Sequence, residues 1–467
     1  MAVAVAATLA GPGPAAAVTD AEMKDLREQI QQMKREYERR IDALEQRLKQ
    51  ADGTAGKAEA AASRAQASAA GAEAALSSSA RPAGENAFNP AISLILNGVL
   101  ANLSQDPARH QITGFAPTGG EVGPGSRGLS LAETELVFSA NIDPNFRGTL
   151  IAALGPDDTV AVEEGYIQGI GLSHGLGIKA GRFLASAGYL NEIHPHAWDF
   201  ADAPLANKAF LGKQLADDGV QLKWVAPTET FIELGTEIGR GRAFPGTNRD
   251  KNGAGAGNLF ARLGGDIGAS TAWRLGLSHL RTRAQNRNHD DLDSTGTLVS
   301  NSFNGSSRLW VVDGVLKWAP NGNPGYNNFK LQGEYFRRRE DGTLTYDTGS
   351  ASLGTQSDTY RSAQSGWYAQ GVYQFMPRWR AGYRHDRLSS GSVRLGLVDS
   401  GARTAADFPI YAAHKATRNT LMLDFNPSEF SRLRLQFASD KSRLGATDKQ
   451  MFLQYIMSLG AHGAHKF

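Results

Sequence analysis

The sequence predicts an all-β fold, a transmembrane antiparallel β-barrel of about 16 strands, preceded by an N-terminal α-helical coiled coil. The first observation behind it is a period of two near the C-terminus. In residues 418–425 and 431–440 large apolar side chains, such as Leu421 and Leu423 or Leu433 and Leu435, alternate with residues that are mostly polar or charged. Since successive side chains of a strand point to opposite faces, a sheet of such strands is apolar outside and charged inside. This arrangement suits a barrel with lipid around it and water within it.

The composition excludes several classes of protein. The chain has 467 residues, 53 glycines and no cysteine, and its mean hydropathy is −0.35. No run is long and apolar enough for a transmembrane helix, so an inner-membrane transporter is not expected. The formal net charge of +2 gives no nucleic-acid footprint. Without cysteine there are neither disulfides nor thiolate metal sites.

Residues 1–17 are rich in alanine and valine and end in small residues, which is typical of a secretory signal peptide. The basic start of such a signal is missing, so alanine-rich disorder is the alternative. We interpret this segment as a signal-peptide remnant, which predicts export of the chain.

Residues 18–52 follow a helical pattern. Apolar residues recur at spacings of three and four from Met23 to Ala51, and the positions between them are mostly charged or glutamine. This is the seam of a coiled coil, so we predict a periplasmic stalk that joins copies of the chain, with a single amphipathic helix on a surface as the alternative. Residues 53–87, rich in Ala, Gly and Ser, are predicted to be a linker.

Residues 88–467 are predicted to form the barrel. Short turns, for example at 143–145 and 427–429, alternate with long loops rich in Gly, Asp and Asn. Outer-membrane barrels are built in this way, with the short turns on the periplasmic side, and an even strand count places both ends of the barrel there. The sixteen predicted strands lie roughly at 91–103, 129–142, 146–154, 159–171, 175–184, 217–226, 230–240, 257–266, 271–282, 307–318, 328–340, 366–376, 379–389, 417–426, 430–441 and 449–460.

The parity of the strands predicts which charged residues line the pore, and the two signs separate around the circumference. We name the early, negative set the acidic wall and the late, positive set the basic wall. The acidic wall comprises Glu133, Glu135, Glu233 and Glu237. The basic wall comprises Arg380, Arg384, Arg418, Arg432 and Arg434.

A long connection at about 185–216 is predicted to fold into the pore and form its constriction. If it does, its acids face the basic wall across a narrow water-filled gap, and the field across that gap sorts solutes by charge. The alternative is that the arginines are only salt-bridge partners of the lumen. The constriction residues are Glu192, His194, His196, Asp199 and Asp202.

The same connection holds the residue types of a metal site. His194 and His196, with acids nearby, could bind Zn²⁺, although their spacing is neither helical nor that of a zinc finger. Zinc is therefore only an alternative to a pore without cofactors. No nucleophile–base motif, phosphate loop or catalytic pair is found, so an enzyme is not expected.

Several segments of the chain resemble known families. VEEGYI at 162–167 and GIKAGRF at 177–183 resemble the strands before the pore loop of Gram-negative phosphate-selective porin-like proteins, a group with an N-terminal coiled coil. NPAISLILNG, GGEVGPG, HPHAWDF, WAPNGNP, LQGEYF and YQFMPRWR are similar to a family of porin-like proteins often labelled TonB-dependent receptors and sometimes linked to zinc limitation. The coiled coil before residue 90 leaves no room for a receptor's plug domain, which favours the porin group.

The porin resemblance implies a homotrimer in the Gram-negative outer membrane, held together through the coiled coil and the barrel walls. It also implies passive diffusion of small hydrophilic solutes or ions, here through a charged constriction. The alternative is an outer-membrane protein that takes up or binds a metal such as zinc.

Overall fold

The computed structural model describes Arg39 and residues 90–117, 122–155, 159–170 and 172–460. The chain divides into two compact units, Met1–Phe88 and Asn89–Phe467. The predicted signal peptide at 1–17 and linker at 53–87 lie outside the described residues, as does the predicted coiled coil at 18–52 apart from Arg39.

The described part of the second unit consists mainly of β-strands. Their bounds are β1 Ala91–Leu103, β2 Gly128–Leu131, β3 Thr134–Asn141, β4 Phe146–Leu154, β5 Val160–Gly169, β6 Leu176–Leu184, β7 Ala216–Val225, β8 Phe231–Gly239, β9 Ala256–Ile267, β10 Thr271–Leu292, β11 Leu298–Trp318, β12 Asn328–Tyr346, β13 Gln356–Met376, β14 Trp379–Leu395, β15 Thr417–Ser428, β16 Ser431–Asp440 and β17 Asp448–Gly460.

The strands close into a barrel. From β3 onward each strand pairs antiparallel with the next along the chain, and β17 pairs with β1. Both β2 and β3 pair with β1, so these two short strands share one position in the wall. The barrel therefore has 16 strand positions within the described residues, which confirms the predicted fold class. Closure leaves no open sheet edge, as a lipid-exposed sheet requires.

Five neighbouring strands, β10 to β14, extend further than the sequence pattern predicted. Strand β10 was expected to end near residue 282 and ends at Leu292, and β11 was expected to begin near 307 and begins at Leu298. The added segment of β10 at 285–291 is polar on both faces, whereas the added segments of β11 and β12 carry the buried apolar side chains Val299, Phe303 and Leu344. The period of two in hydropathy is absent from 285–291, so it ends before β10 does.

The two faces of the wall differ as predicted. On β15 and β16 the outward side chains Leu421 and Phe437 are 60% and 50% exposed, whereas the inward Asp424 and Arg434 are fully buried. Large exposed apolar side chains of this kind surround the barrel, and a lipid environment removes them from water. Among the residues that the structure describes, no helix combines the length and apolar character needed to cross a membrane.

Helices are few and short in the described part. Helix α1 is Leu205–Leu211 and helix α2 is Gly396–Asp399. The 3₁₀ turns are Pro107–Arg109, Leu190–Glu192, Pro195–Ala197, Pro320–Gly322, Ala405–Asp407 and Pro409–Tyr411. Helix α1 and two of these turns belong to the connection between β6 and β7, residues 185–215, which we name the lumen loop.

Candidate functional site

The lumen loop lies inside the barrel and crosses it. Its backbone amides donate to side chains on strands far apart around the wall. Ser186 N donates to Glu237 Oε1 on β8 at 2.9 Å, and Leu205 N donates to Asp386 Oδ1 on β14 at 2.9 Å. Buried amides need such partners, and inward carboxylates supply them. The prediction that this connection folds inward agrees with these contacts.

Part of the lumen is filled by apolar packing. Every residue of α1 is buried, and its Phe210 ring packs 5.7 Å from Phe336 and 5.5 Å from Phe115, measured between centroids. Leu205 and Leu388 belong to the same buried cluster. Since a packed core excludes water, the sector of the barrel under α1 is closed rather than channel-like.

The acids of the lumen loop contact the basic side of the barrel directly. Asp199 lies 2.9 Å from Lys330 Nζ and 3.2 Å from Arg380 Nη1. Asp202 lies 3.1 Å from Arg384 Nη2 and also pairs with Arg418. The predicted water-filled gap between these acids and the basic wall is therefore wrong, because buried charges are stable only beside a partner.

Most of the basic wall is sealed beneath the lumen loop. Arg384, Arg418 and Arg434 are at most 1% exposed, and only the Arg380 and Arg432 side chains keep about a fifth of their surface accessible. Arg432 and Arg434 also bind loop backbone, since both donate to the carbonyl oxygen of Trp198. These buried arginines hold the lumen loop in place. The structure therefore favours the alternative that they are salt-bridge partners within the lumen.

The ion pairs change the acidity of the loop carboxyls. Burial alone would raise the pKa of Asp199, but Lys330 and Arg380 more than offset this and hold that pKa below its ordinary value. Asp202 follows the same rule, since Arg418 outweighs burial and holds its pKa well below the ordinary value. Both carboxyls are thus charged anchors of the loop.

Glu192 lies away from the basic wall, contrary to prediction. It pairs with Arg262 on β9 and accepts a hydrogen bond from Ser186 Oγ at 2.9 Å. Arg262 also holds Glu233 of the acidic wall, at 2.6 Å. Arg262 points inward by parity on the predicted strand 257–266, so the sequence could have indicated it as a partner of Glu192. The prediction of one acidic and one basic side of the lumen left Arg262 out.

The two histidines of the lumen loop face acidic residues. His196 Nδ1 lies 2.8 Å from Glu135 Oε1, and His194 Nε2 lies 3.0 Å from Glu164 Oε2. Burial alone would lower the pKa of His194, but Glu135 and its acidic neighbours hold it well above the ordinary value. The loop therefore joins opposite sides of the barrel, with histidines on one side and aspartates on the other.

The remaining members of the acidic wall also have partners. Glu133, between β2 and β3, lies 2.6 Å from Lys213 Nζ of the lumen loop. Glu237 accepts from Gln221 at 2.7 Å and from Asn258 at 2.9 Å. These acids hold the loop and the wall together.

A cavity of about 450 Å³ remains between the lumen loop and strands β5 to β10. It lies toward the ends of β7 to β10 that carry the short turns, beside Phe231 and Trp273. Its charged lining residues are Lys179, Glu192, Lys223, Glu233, Arg262, Asp266 and Arg274. Of this set only Glu192 and Glu233 were predicted to be pore residues, because the pore was expected at the basic wall.

A closed barrel with an apolar exterior, a charged lumen and an inward loop defines a porin-like β-barrel of the outer-membrane type. The chain belongs to the family of an Aquifex aeolicus (strain VF5) protein that is itself described as uncharacterized. The two are 30% identical over 417 residues, which are 83% of this chain and 81% of that protein. No family model matches the chain.

Solved outer-membrane structures show weaker likenesses. A loop L8 deletion mutant of OmpT from Vibrio cholerae has a TM-score of 0.49 and 10% identity, covering 79% of this chain and 99% of that one. The channel DcaP of Acinetobacter baumannii has a TM-score of 0.46 and 10% identity, with coverages of 79% and 97%. OprB of Pseudomonas putida has a TM-score of 0.44 and 14% identity, with coverages of 79% and 94%.

Proposed function

We propose that the protein is an outer-membrane porin that passes small hydrophilic solutes or ions by passive diffusion. The observation that carries this proposal is the uneven filling of the barrel. The lumen loop packs tightly against strands β12 to β16 and leaves the 450 Å³ cavity beside strands β5 to β10. The solute path would run through the cavity beside strands β5 to β10. Passage through it involves no catalytic step.

The charges beside the cavity are mixed, which suits a filter for polar solutes. Lys223 Nζ lies 3.1 Å from Glu233, and Arg274 Nη2 lies 3.3 Å from Asp313. Fixed charges at a narrow passage act strongly on a passing solute because the surrounding wall has a low dielectric constant. The proposed constriction therefore lies between Glu192 and the wall of β7 to β10, not at the buried arginines.

Channel activity is tested with the purified full-length protein in planar lipid bilayers. We expect stepwise increases in current under an applied voltage, because the cavity provides an aqueous path once its ends are hydrated. Boiled protein and detergent alone are the controls. A folded protein, recognised by its heat-modifiable mobility in gels, that never conducts would contradict the proposal.

Charge selectivity gives a second test of the path. Replacing Lys223 and Arg274 by glutamine is expected to shift the reversal potential in a salt gradient toward cation selectivity, since Glu192 and Glu233 then dominate the passage. Lys251→Gln, in the exposed loop between β8 and β9, is the matched control and should leave it unchanged. Equal reversal potentials for all three proteins would mean that ions bypass the cavity.

We also propose that the protein is a homotrimer joined by the predicted coiled coil and by barrel walls. Deleting residues 18–52 should weaken the oligomer without unfolding the barrel, because the barrel satisfies its own backbone hydrogen bonds. Light scattering of the detergent-solubilised protein gives the oligomeric mass, and heat-modifiable mobility reports folding. A truncated protein that is as stable a trimer as the intact one would show that the stalk is not the clamp.

A further inference from the structure

Three atoms of different segments converge on one point in the lumen. They are His194 Nδ1 of the lumen loop, Glu135 Oε2 of β3 and Glu163 Oε2 of β5, and all lie within 4.8 Å of one another. Each atom is buried and lacks a hydrogen-bond partner among the described residues. The Glu135 side chain is only 1% exposed, so its unpartnered oxygen is costly unless something binds it.

The spacing of these atoms fits a common ion. His194 Nδ1 lies 3.3 Å from Glu135 Oε2 and 3.5 Å from Glu163 Oε2. Ligand atoms bound to one tetrahedral Zn²⁺ at ~2.0–2.2 Å stand about 3.3–3.6 Å apart. Two of the three distances between the candidate ligand atoms therefore already match those around a tetrahedral Zn²⁺.

The backbone departs from regular geometry to bring Glu163 to this point. Leu150 pairs with Gly165, Ile151 with Glu164 and Ala152 with Val162, so Glu163 is an extra residue in β5. Such a bulge re-aims side chains and is frequent beside functional sites. In a regular strand Glu163 and Glu164 would point to opposite faces, whereas here both contact His194.

Neighbouring groups orient the three atoms as the outer shell of a metal site does. His194 Nε2 lies 3.0 Å from Glu164 Oε2, which leaves Nδ1 directed at the other two carboxylates. The second oxygen of Glu135 lies 2.8 Å from His196 Nδ1. Carboxylate–histidine pairs of this kind fix the ring and its tautomer around protein-bound metals.

The charges also favour a divalent cation. The carboxylates of Glu135, Glu163 and Glu164 surround His194, and Glu135 also contacts His196, so three negative charges face at most two positive charges from the imidazoles. One nitrogen and two carboxylate oxygens suit Zn²⁺ and similar first-row ions, whereas Ca²⁺ and Mg²⁺ prefer oxygen ligands alone.

We propose that Glu135, Glu163 and His194 form a Zn²⁺-type site that ties the lumen loop to strands β3 and β5. In this proposal His196 orients Glu135 and is not a ligand, unlike in the pair His194 and His196 expected from the sequence. With three protein ligands, the fourth position of the ion would be taken by water or another small ligand. The site is independent of whether the barrel conducts.

The test is Zn²⁺ titration by calorimetry of the full-length protein in detergent after treatment with a chelator. We expect one strongly bound Zn²⁺ per chain in the wild type. Glu163→Gln and His194→Gln should each weaken its binding at least about tenfold, because each removes a ligand. Co²⁺ bound in place of Zn²⁺ should give the intense visible absorption of a tetrahedral site, and both variants should lose it.

Glu237→Gln is the matched control, because Glu237 is also a buried lumen acid that holds the same loop. It should retain the wild-type affinity, and heat-modifiable mobility must show that each variant is folded. The proposal is overturned if Glu163→Gln binds Zn²⁺ as tightly as Glu237→Gln, or if folded wild type binds none. Equally tight binding of Ca²⁺ by the wild type would also overturn it, since that would indicate only a general attraction to acidic groups.

Discussion

Shortening the lumen loop is expected to raise the single-channel conductance severalfold. Replacing residues 194–211 by a short glycine–serine linker removes α1 and the apolar packing of Phe210, which close one sector of the lumen. The base of the loop is retained. There Ala185 N donates to the carbonyl oxygen of Leu215, and the Asn191 side chain donates to the carbonyl oxygens of Ala185 and Leu215. The arginines that the loop covered would then face water, where an unpaired charge costs little. Conductance in planar bilayers measures the effect.

A replacement of residues 248–253 by a glycine–serine linker is the control for the general effect of replacing a loop. This segment lies in the loop between β8 and β9. The control replacement should leave the single-channel conductance unchanged. If the 194–211 replacement conducts no better than the wild type, the narrowest part of the path lies outside the lumen loop.

Arg418→Met is expected to destabilise the protein by about 3–5 kcal/mol. The Arg418 side chain is fully buried, pairs with Asp202 and lies 3.5 Å from Asp440. It also donates to Gln450 at 2.8 Å. Methionine fills much of the space but leaves the carboxylates of Asp202 and the buried Asp440 with less compensating charge. The midpoint of urea unfolding, followed by tryptophan fluorescence in lipid vesicles, measures the loss.

Arg361→Met is the matched control for this prediction. Arg361 lies 3.0 Å from Asp341, but the two side chains are 71% and 56% exposed. Such pairs contribute about 0–1 kcal/mol, so the control should unfold near the wild-type midpoint. An equal loss of stability in both variants would mean that the buried ion pairs of Arg418 contribute no more than an exposed ion pair.

The sequence was sufficient for the barrel because lipid and water impose opposite demands on alternate residues. Arg434 was assigned to the lumen by parity, and the structure pairs it directly with Asp424 across β15 and β16, both fully buried. Strand ends were less predictable. The alternation of apolar residues ends where lipid ends, although the hydrogen-bonded ladder of β10 continues to Leu292.

The partners within the lumen were much harder to predict than the wall. Parity places Arg262 inside and the predicted inward loop places Glu192 there, but their meeting depends on the path of that loop. Glu163 shows a second limit, because one extra residue in β5 reverses the face expected from counting. A period of two carries no information about a bulge, so the ligand set around His194 could not be read from the sequence.

The lumen loop also constrains the order in which the protein folds. Asp202 and Arg418 lie 216 residues apart in the sequence, and Leu205 and Asp386 lie 181 apart. Contacts over such separations form late, because the chain between them must first be ordered. The loop can complete its contacts only after β14 and β15 have joined the wall. An early segment of the chain therefore depends for its final position on strands that come much later in the sequence.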